Sequence, residues 1–418
     1  MGGAGRRGLQ NPSKPSYLDT KATKANNDKK KKQQQLKKKD VPKADVSDVD
    51  ENDDADKRRH HQQLTLNIFR DTFASVLAAD SFSTTLQTIK QALFERNFSK
   101  AFEDPEALAV YATRWSPTRA LCYASILRTI HMQKHLQGIL SSSSTGIDSL
   151  SKSIETVNCS GDDGTTAPIQ PDHYVQLKAL CIGGGAAEIV AFGSFLSQVQ
   201  NDTAKNIAGN ITLVDSAPWD TVISQLQTSL TAIPPHQKYA SQSVKDASKP
   251  MISSPQLFSA YFAQQDVLSL SKTELLSHIT SSSSTQNPIL VTLLFTLNEL
   301  FTAAGILKPT KFLLDLTSVL PIGSLLLVVD SPGSYSETGV GEKKKKYPMQ
   351  WLLDKVLLDT TANDPVEGRT WTKLESHDSL WFRLPAADGG GGNMDYPIPL
   401  ENMRYQMHLY RVDAAPAV

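Results

Sequence analysis

From residue 172 onward the chain alternates between strand-like and helix-like patterning, and that alternation leaves few folds open to it. Val175 to Ile182 reads as a short strand, Ala186 to Val199 as an amphipathic helix, and Ile211 to Val214 as a second strand. A helix over 219–230, a strand from Leu257 to Ala263 and a long apolar strand from Pro288 to Leu297 follow. Helix 309–319 then leads to a fifth strand at Ser324 to Val329. This order predicts a parallel sheet covered by helices on both faces. Ser379 to Leu384 and Arg404 to Val412 are two more candidate strands, joined through a loop containing Gly389 to Gly392. With no helix expected between them, they should pair antiparallel at the sheet edge.

The segment before this region is helical. Leu66, Phe69, Phe73 and Val76 recur at helical spacing, as do Phe82, Leu86, Ile89 and Leu93. Ser116-Pro117 is a helix start, a capping side chain followed by proline at the first helical position. That helix should carry Ala120, Tyr123, Leu127 and Ile130 on one stripe and end near Gly138. The expected organisation is a tail over 1–62, a helical lobe over 63–140, a flexible loop over 141–171 and an α/β domain over 172–418.

Charge explains why 1–62 is read as a disordered tail. Lys+Arg and Asp+Glu are matched at 43 each, yet 1–43 carries 13 basic and 3 acidic side chains, and 44–56 carries 7 acidic and no basic ones. A run such as Lys29–Lys32 and Lys37–Lys39 cannot bury a core. Paired lysine clusters suit nuclear import and non-specific attraction to nucleic acid. No apolar run approaches the roughly 20 residues of a membrane span, so no membrane partner is expected. The cysteines, Cys122, Cys159 and Cys181, show no metal or disulfide spacing, and the expected compartment is reducing. His60-His61 reads as linker, with no metal site.

Chemistry concentrates in Ala179-Leu180-Cys181-Ile182-Gly183-Gly184-Gly185-Ala186-Ala187-Glu188, a strand running through a glycine turn into a helix. Glycines allow close backbone approach to a ligand, and the helix N-terminus offers free N–H groups. Asp215 ends the next strand, where a carboxylate can accept hydrogen bonds from ribose hydroxyls. A dinucleotide site wants a third glycine at position 188, and Glu188 there would repel a pyrophosphate. The chain also lacks a GxxxxGK[ST] phosphate loop. S-adenosylmethionine (SAM), positively charged and free of phosphate, tolerates acidic neighbours, so methyl transfer is the leading reading.

Several longer strings sharpen this. Glu95-Arg96-Asn97-Phe98, Tyr111-Ala112-Thr113-Arg114-Trp115-Ser116-Pro117-Thr118-Arg119-Ala120, Leu293-Leu294-Phe295-Thr296-Leu297-Asn298-Glu299-Leu300 and Leu400–Arg411 span most of the folded chain. In these strings the segment from about 92 to 412 resembles the fungal 25S ribosomal RNA uridine-N(3)-methyltransferase family. The resemblance implies a Rossmann-like, mostly parallel seven-stranded sheet with an antiparallel last strand. It implies that Gly183, Gly184 and Gly185 hold the methionine part of SAM, that Asp215 takes the ribose, and that Asp266 and Val267 lie near the adenine. Cys181 and Ala187 depart from the general methyltransferase pattern, which has an acidic residue and a glycine there.

The expected activity is SAM-dependent methylation of large-subunit ribosomal RNA at a uridine N-3, by a monomer acting on ribosomal RNA or a pre-ribosomal particle in the nucleus and nucleolus, with the cytoplasm as second compartment. The alternatives are methylation of a protein or another RNA, or a catalytically silent ribosome-assembly factor of the same fold. Asn298 and Glu299, just after the fourth strand, are the expected catalytic pair, with Glu299 the proton acceptor and Asp330 a weaker candidate. Arg114, Trp115 and Arg119 combine cations with an aromatic and are candidate RNA contacts, as are Lys343, Lys344, Lys345 and Lys346. Trp115 also reads as a packing residue between lobe and sheet. Cys122 and Cys181 are expected to be buried, which disfavours the covalent cysteine route used for pyrimidine carbons.

Overall fold

The computed structural model describes residues 48–141, 174–202, 207–234, 249–280, 287–333, 335–339, 344–385 and 394–416. The chain divides into two compact units, Met1–Ala55 and Asp56–Val418; of the first, 48–55 are described and helical, and the second carries the sheet.

The helical segment comprises α1 (Asp48–Thr72), α2 (Ala74–Leu77), α3 (Phe82–Phe94), α4 (Phe98–Phe102), α5 (Pro105–Arg114) and α6 (Ser116–Met132). The boundary expected between 62 and 63 falls inside α1, and His61 is part of that helix, its Nε2 lying 3.0 Å from Ser194 Oγ. Asp104 caps α5 by accepting the Glu106 N–H, with Pro105 at the first helical position. In α6 the serine is itself helical and makes no cap hydrogen bond. That helix buries far more than one stripe, from Ser116 to Thr118 and Ala120 to Ala124 and on through Ile126, Leu127 and Ile130.

The sheet has seven strands in the order β3-β2-β1-β4-β5-β9-β8. These are β1 (Val175–Ile182), β2 (Ile207–Asp215), β3 (Phe258–Gln264), β4 (Leu290–Leu294), β5 (Leu325–Asp330), β8 (Arg369–Phe382) and β9 (Met403–Ala414). The first five are mutually parallel, and β9 lies antiparallel between β5 and β8. The Rossmann-like architecture and the edge hairpin are therefore as expected. A two-stranded ribbon, β6 (Tyr335–Gly339) with β7 (Lys344–Pro348), was not.

The helices of the sheet region are α7 (Ala186–Asp202), α8 (Asp220–Thr231), α9 (Lys272–Ile279), α10 (Leu297–Ala304), α11 (Leu307–Val319) and α12 (Met349–Asp354), the last continuing into a π-helical turn at Lys355–Thr360. Alternation along β5 sorts the core. Leu325, Leu327 and Val329 join α6, α7 and α8 on one face, while Leu326 and Val328 join α10, α11 and α12 on the other. Leu66, Leu108, Tyr123 and Ile139 belong to that first core. The helices of 63–140 thus share the core of the sheet.

Candidate functional site

Two tight turns meet at the carboxyl edge of the sheet. After β1, Gly183 takes φ +67° and donates its N–H to Val214 O at 2.8 Å. After β4, Phe295 takes φ 60° and donates to Val329 O at 2.7 Å. A left-handed phenylalanine is uncommon, and such strain gathers at functional sites. The turns press on each other, because a Cβ on Gly183 would lie 2.3 Å from Thr296 Oγ1. At Gly185 a Cβ would lie 2.9 Å from the Trp219 ring, and at Gly184 it would lie 2.7 Å from the Cys181 Cβ. Much of the need for glycine here is therefore packing within the protein.

The cleft above these turns encloses about 570 Å³, open to solvent, and is lined by Phe102, Tyr111, Arg119, Gly183, Gly185, Glu188, Asp215, Trp219, Phe295 and Glu299 among others. One wall is aromatic: Tyr111 lies 4.9 Å from Phe102 and 6.0 Å from Trp219, centroid to centroid. Arg119 crosses the cleft with Nη1 2.5 Å from Tyr111 Oη and its guanidinium 5.1 Å from the Phe295 ring. Burial alone would lower the Arg119 pKa, but Tyr111, Tyr123, Glu188 and Glu299 outweigh it and the shift is upward.

Three carboxyls line the cleft with Arg119. Burial pushes Glu188 up to about 7, against the Gly185 N–H that its Oε2 accepts at 2.8 Å. Burial likewise raises Asp215 to about 6, although Asp215 Oδ1 accepts the Ala217 N–H at 2.7 Å and the Trp219 side chain also bonds to it. Glu299 rises to about 7 through burial, with Arg119 opposing and Asp330 and Asp215 adding repulsion. The lining fits a cationic ligand. It does not fit a phosphate, because Glu188 already occupies the helix N–H that would cradle one.

The structure brings Gly183, Gly185, Asp215, Glu299 and Arg119 into one cleft. Asp266 and Val267 are one strand away: Asp266 is exposed and caps a short turn by accepting the Leu268 N–H at 3.0 Å, and Val267 is buried in the second core. Asn298 and Glu299 lie within the first turn of α10, whereas the strand was expected to run to Leu297. The left-handed Phe295 ends β4 early and turns the chain into the helix. Asp330 accepts the Asn298 N–H at 3.1 Å and so holds α10 in place. Asn298 Oδ1 is buried and has no hydrogen-bond partner among the described residues. Arg114 pairs with Glu401 and lies 5.7 Å from the Trp115 ring, which itself packs 4.9 Å from Tyr111. Lys344, Lys345 and Lys346 are in β7, and Lys343 lies outside the described residues.

Phe102, Trp219 and the inward-facing Tyr111 complete the lining, and of these only Tyr111 lies in a distinctive string of the sequence. Cys122 and Cys181 are buried, as expected; burial raises the Cys181 thiol to about 12. Among the described residues no group of side chains is arranged to hold a metal.

A family model described as "Putative SAM-dependent methyltransferase" matches residues 69–411. The chain belongs to this family. Its cofactor is SAM, in agreement with the charge of the cleft. The methyltransferase is 28% identical over 370 residues to the 25S rRNA (uridine(2843)-N(3))-methyltransferase of Saccharomyces cerevisiae, an alignment covering 83% of this chain and 85% of that one. Solved structures similar to the methyltransferase include a SAM-dependent methyltransferase of Methanosarcina mazei, 12% identical with a TM-score of 0.29, covering 57% of this chain and 92% of that one. Another is the 16S rRNA (adenine(1408)-N(1))-methyltransferase of Catenulisporales acidiphilia, 9% identical with a TM-score of 0.29, covering 58% and 88%.

Proposed function

We propose that this methyltransferase modifies a uridine of large-subunit ribosomal RNA at N-3. The observation that carries the reading is Glu299, a carboxyl held near neutrality within the SAM-type cleft. SAM supplies an electrophilic methyl group on a sulfonium centre. Gly183, Gly184 and Gly185 would hold its methionine part, Asp215 its ribose, and Asp266 with Val267 its adenine. Arg119 balances the carboxyls and is suited to the cofactor's own carboxylate. N-3 of uridine carries a weakly acidic proton, which Glu299 would accept as the new N–C bond forms and the methyl–sulfur bond breaks, the cofactor leaving as a neutral thioether. Asn298 assists at the substrate side. Otherwise the residues orient the reactants, which alone contributes a large share of such a displacement.

A methyl on N-3 sits on the pairing edge of the base, so the uridine must be unpaired or turned out of its helix when modified. Arg114, Trp115, Arg119 and Lys343–Lys346 are proposed RNA contacts. The basic segment 1–43 supports action in the nucleus and nucleolus on a pre-ribosomal particle, and a monomer suffices for every role named here.

The test has two arms. Calorimetry should show SAM binding that is lost in Asp215→Ala. Nucleoside analysis of large-subunit ribosomal RNA from cells lacking the gene should show diminished 3-methyluridine; an undiminished level overturns the substrate.

A further inference from the structure

The same edge of the sheet carries an exposed cluster that the cleft does not use. Trp381, at the end of β8, is 52% exposed. The Arg383 guanidinium lies 5.0 Å from its ring centroid and that of Arg404 lies 5.8 Å away. Arg404 stands directly opposite Trp381 in the β8–β9 register, and its Nε donates to Ser379 Oγ at 2.8 Å, which fixes the cation beside the ring. Both arginines are exposed, and neither makes an ion pair with a carboxylate among the described residues.

The cluster stands at the carboxyl edge of the sheet, close to the end of β5. Asp330 at the end of β5 pairs with Gln406, only two residues from Arg404. In the order β4-β5-β9-β8, three strand spacings separate the strand that delivers Glu299 from the one that carries Trp381. That is about 14 Å, a distance a short single-stranded segment spans. Tyr396 Oη donates to Thr113 O at 2.8 Å and Glu401 pairs with Arg114, tying the segment before β9 to the helix bearing Tyr111.

We propose that Trp381, Arg383 and Arg404 form a platform for single-stranded RNA flanking the methylated nucleotide. One base stacks on the indole and guanidinium planes, and the arginine charges meet neighbouring phosphates. RNA fits better than a protein partner because the ring stands alone: no other large apolar side chain on β8 or β9 is exposed, whereas protein hot spots sit within an excluding apolar surround. The proposal rests on the RNA reading above.

Anisotropy with a fluorescent oligouridine and the full chain tests it, with calorimetric SAM binding as the control. Trp381→Ala should weaken RNA binding about ten- to a hundredfold and Trp381→Phe much less. Arg383→Gln and Arg404→Gln should each lower the slope of log affinity against log salt by about 0.7. All four variants should bind SAM as the parent does, which also reports on folding. Unchanged RNA affinity in Trp381→Ala, or a loss only of binding to a protein partner, overturns the platform and leaves the RNA substrate standing. No RNA binding by the parent protein overturns both.

Discussion

Glu299 has a double environment: burial and two neighbouring carboxylates hold its proton, while Arg119 pulls the other way. As a proton acceptor it must be ionised, so methyl transfer should rise with pH through about 7 and level off above it. Glu299→Gln should remove that limb and slow transfer by roughly a hundred- to ten-thousandfold, read from single-turnover rates across pH. Glu188 makes a different prediction. Its folded value, about 7 against an ordinary 4.5, means the native state binds the proton more tightly than the unfolded chain. Its contribution is therefore favourable below about 4.5 and is lost as pH rises through about 7. Thermal unfolding of the cofactor-free protein should show stability falling across that window, with Glu188→Gln flattening the fall in part. Asp215, raised to about 6, and Glu299, raised to about 7, contribute to the same fall. The sequence marked Glu188 as repelling a pyrophosphate, but that the carboxylate turns back onto the Gly185 amide is a contact that spacing cannot reveal.

At the level of elements, the two back-to-back turns carry the site. Gly183→Ala places a Cβ against Thr296 at a left-handed φ, so it should destabilise by several kcal/mol in urea unfolding, with Thr296→Ala in the same chain recovering part of the loss. Strands with alternating or continuous apolar residues, β1, β2, β4 and β5, were legible because burial dictates their pattern. β8 was read ten residues short, since from Arg369 onward it lies at an edge, largely polar and interrupted by register shifts. The β6–β7 ribbon was not expected, for a lysine run gives no alternation. Helix α9 was missed although Ser271 and Glu274 form a capping box that a closer reading could have found. In the site, Asp215 and Glu299 were legible from their places after strands. Trp219 and Phe102 were not, because aromatic packing across distant segments leaves no local signature.

Across the whole molecule, charge is divided among the basic segment 1–43, the acidic segment 44–56 and a nearly neutral remainder. Removing 1–43 should leave SAM affinity unchanged while weakening RNA association mainly at low salt, as measured by anisotropy over a salt series. The shared core has a further consequence. Tyr111 and Arg119 over the cleft, and the glycine turn beneath it, are anchored in helices that pack on one sheet face as a continuous apolar mass. Among the described residues there is no seam there along which a lid could swing. On the RNA reading proposed above, recognition in such a molecule falls to the partner: the nucleotide would leave its stack and come to the receptacle, so turnover would be paced by how readily the RNA gives up that base.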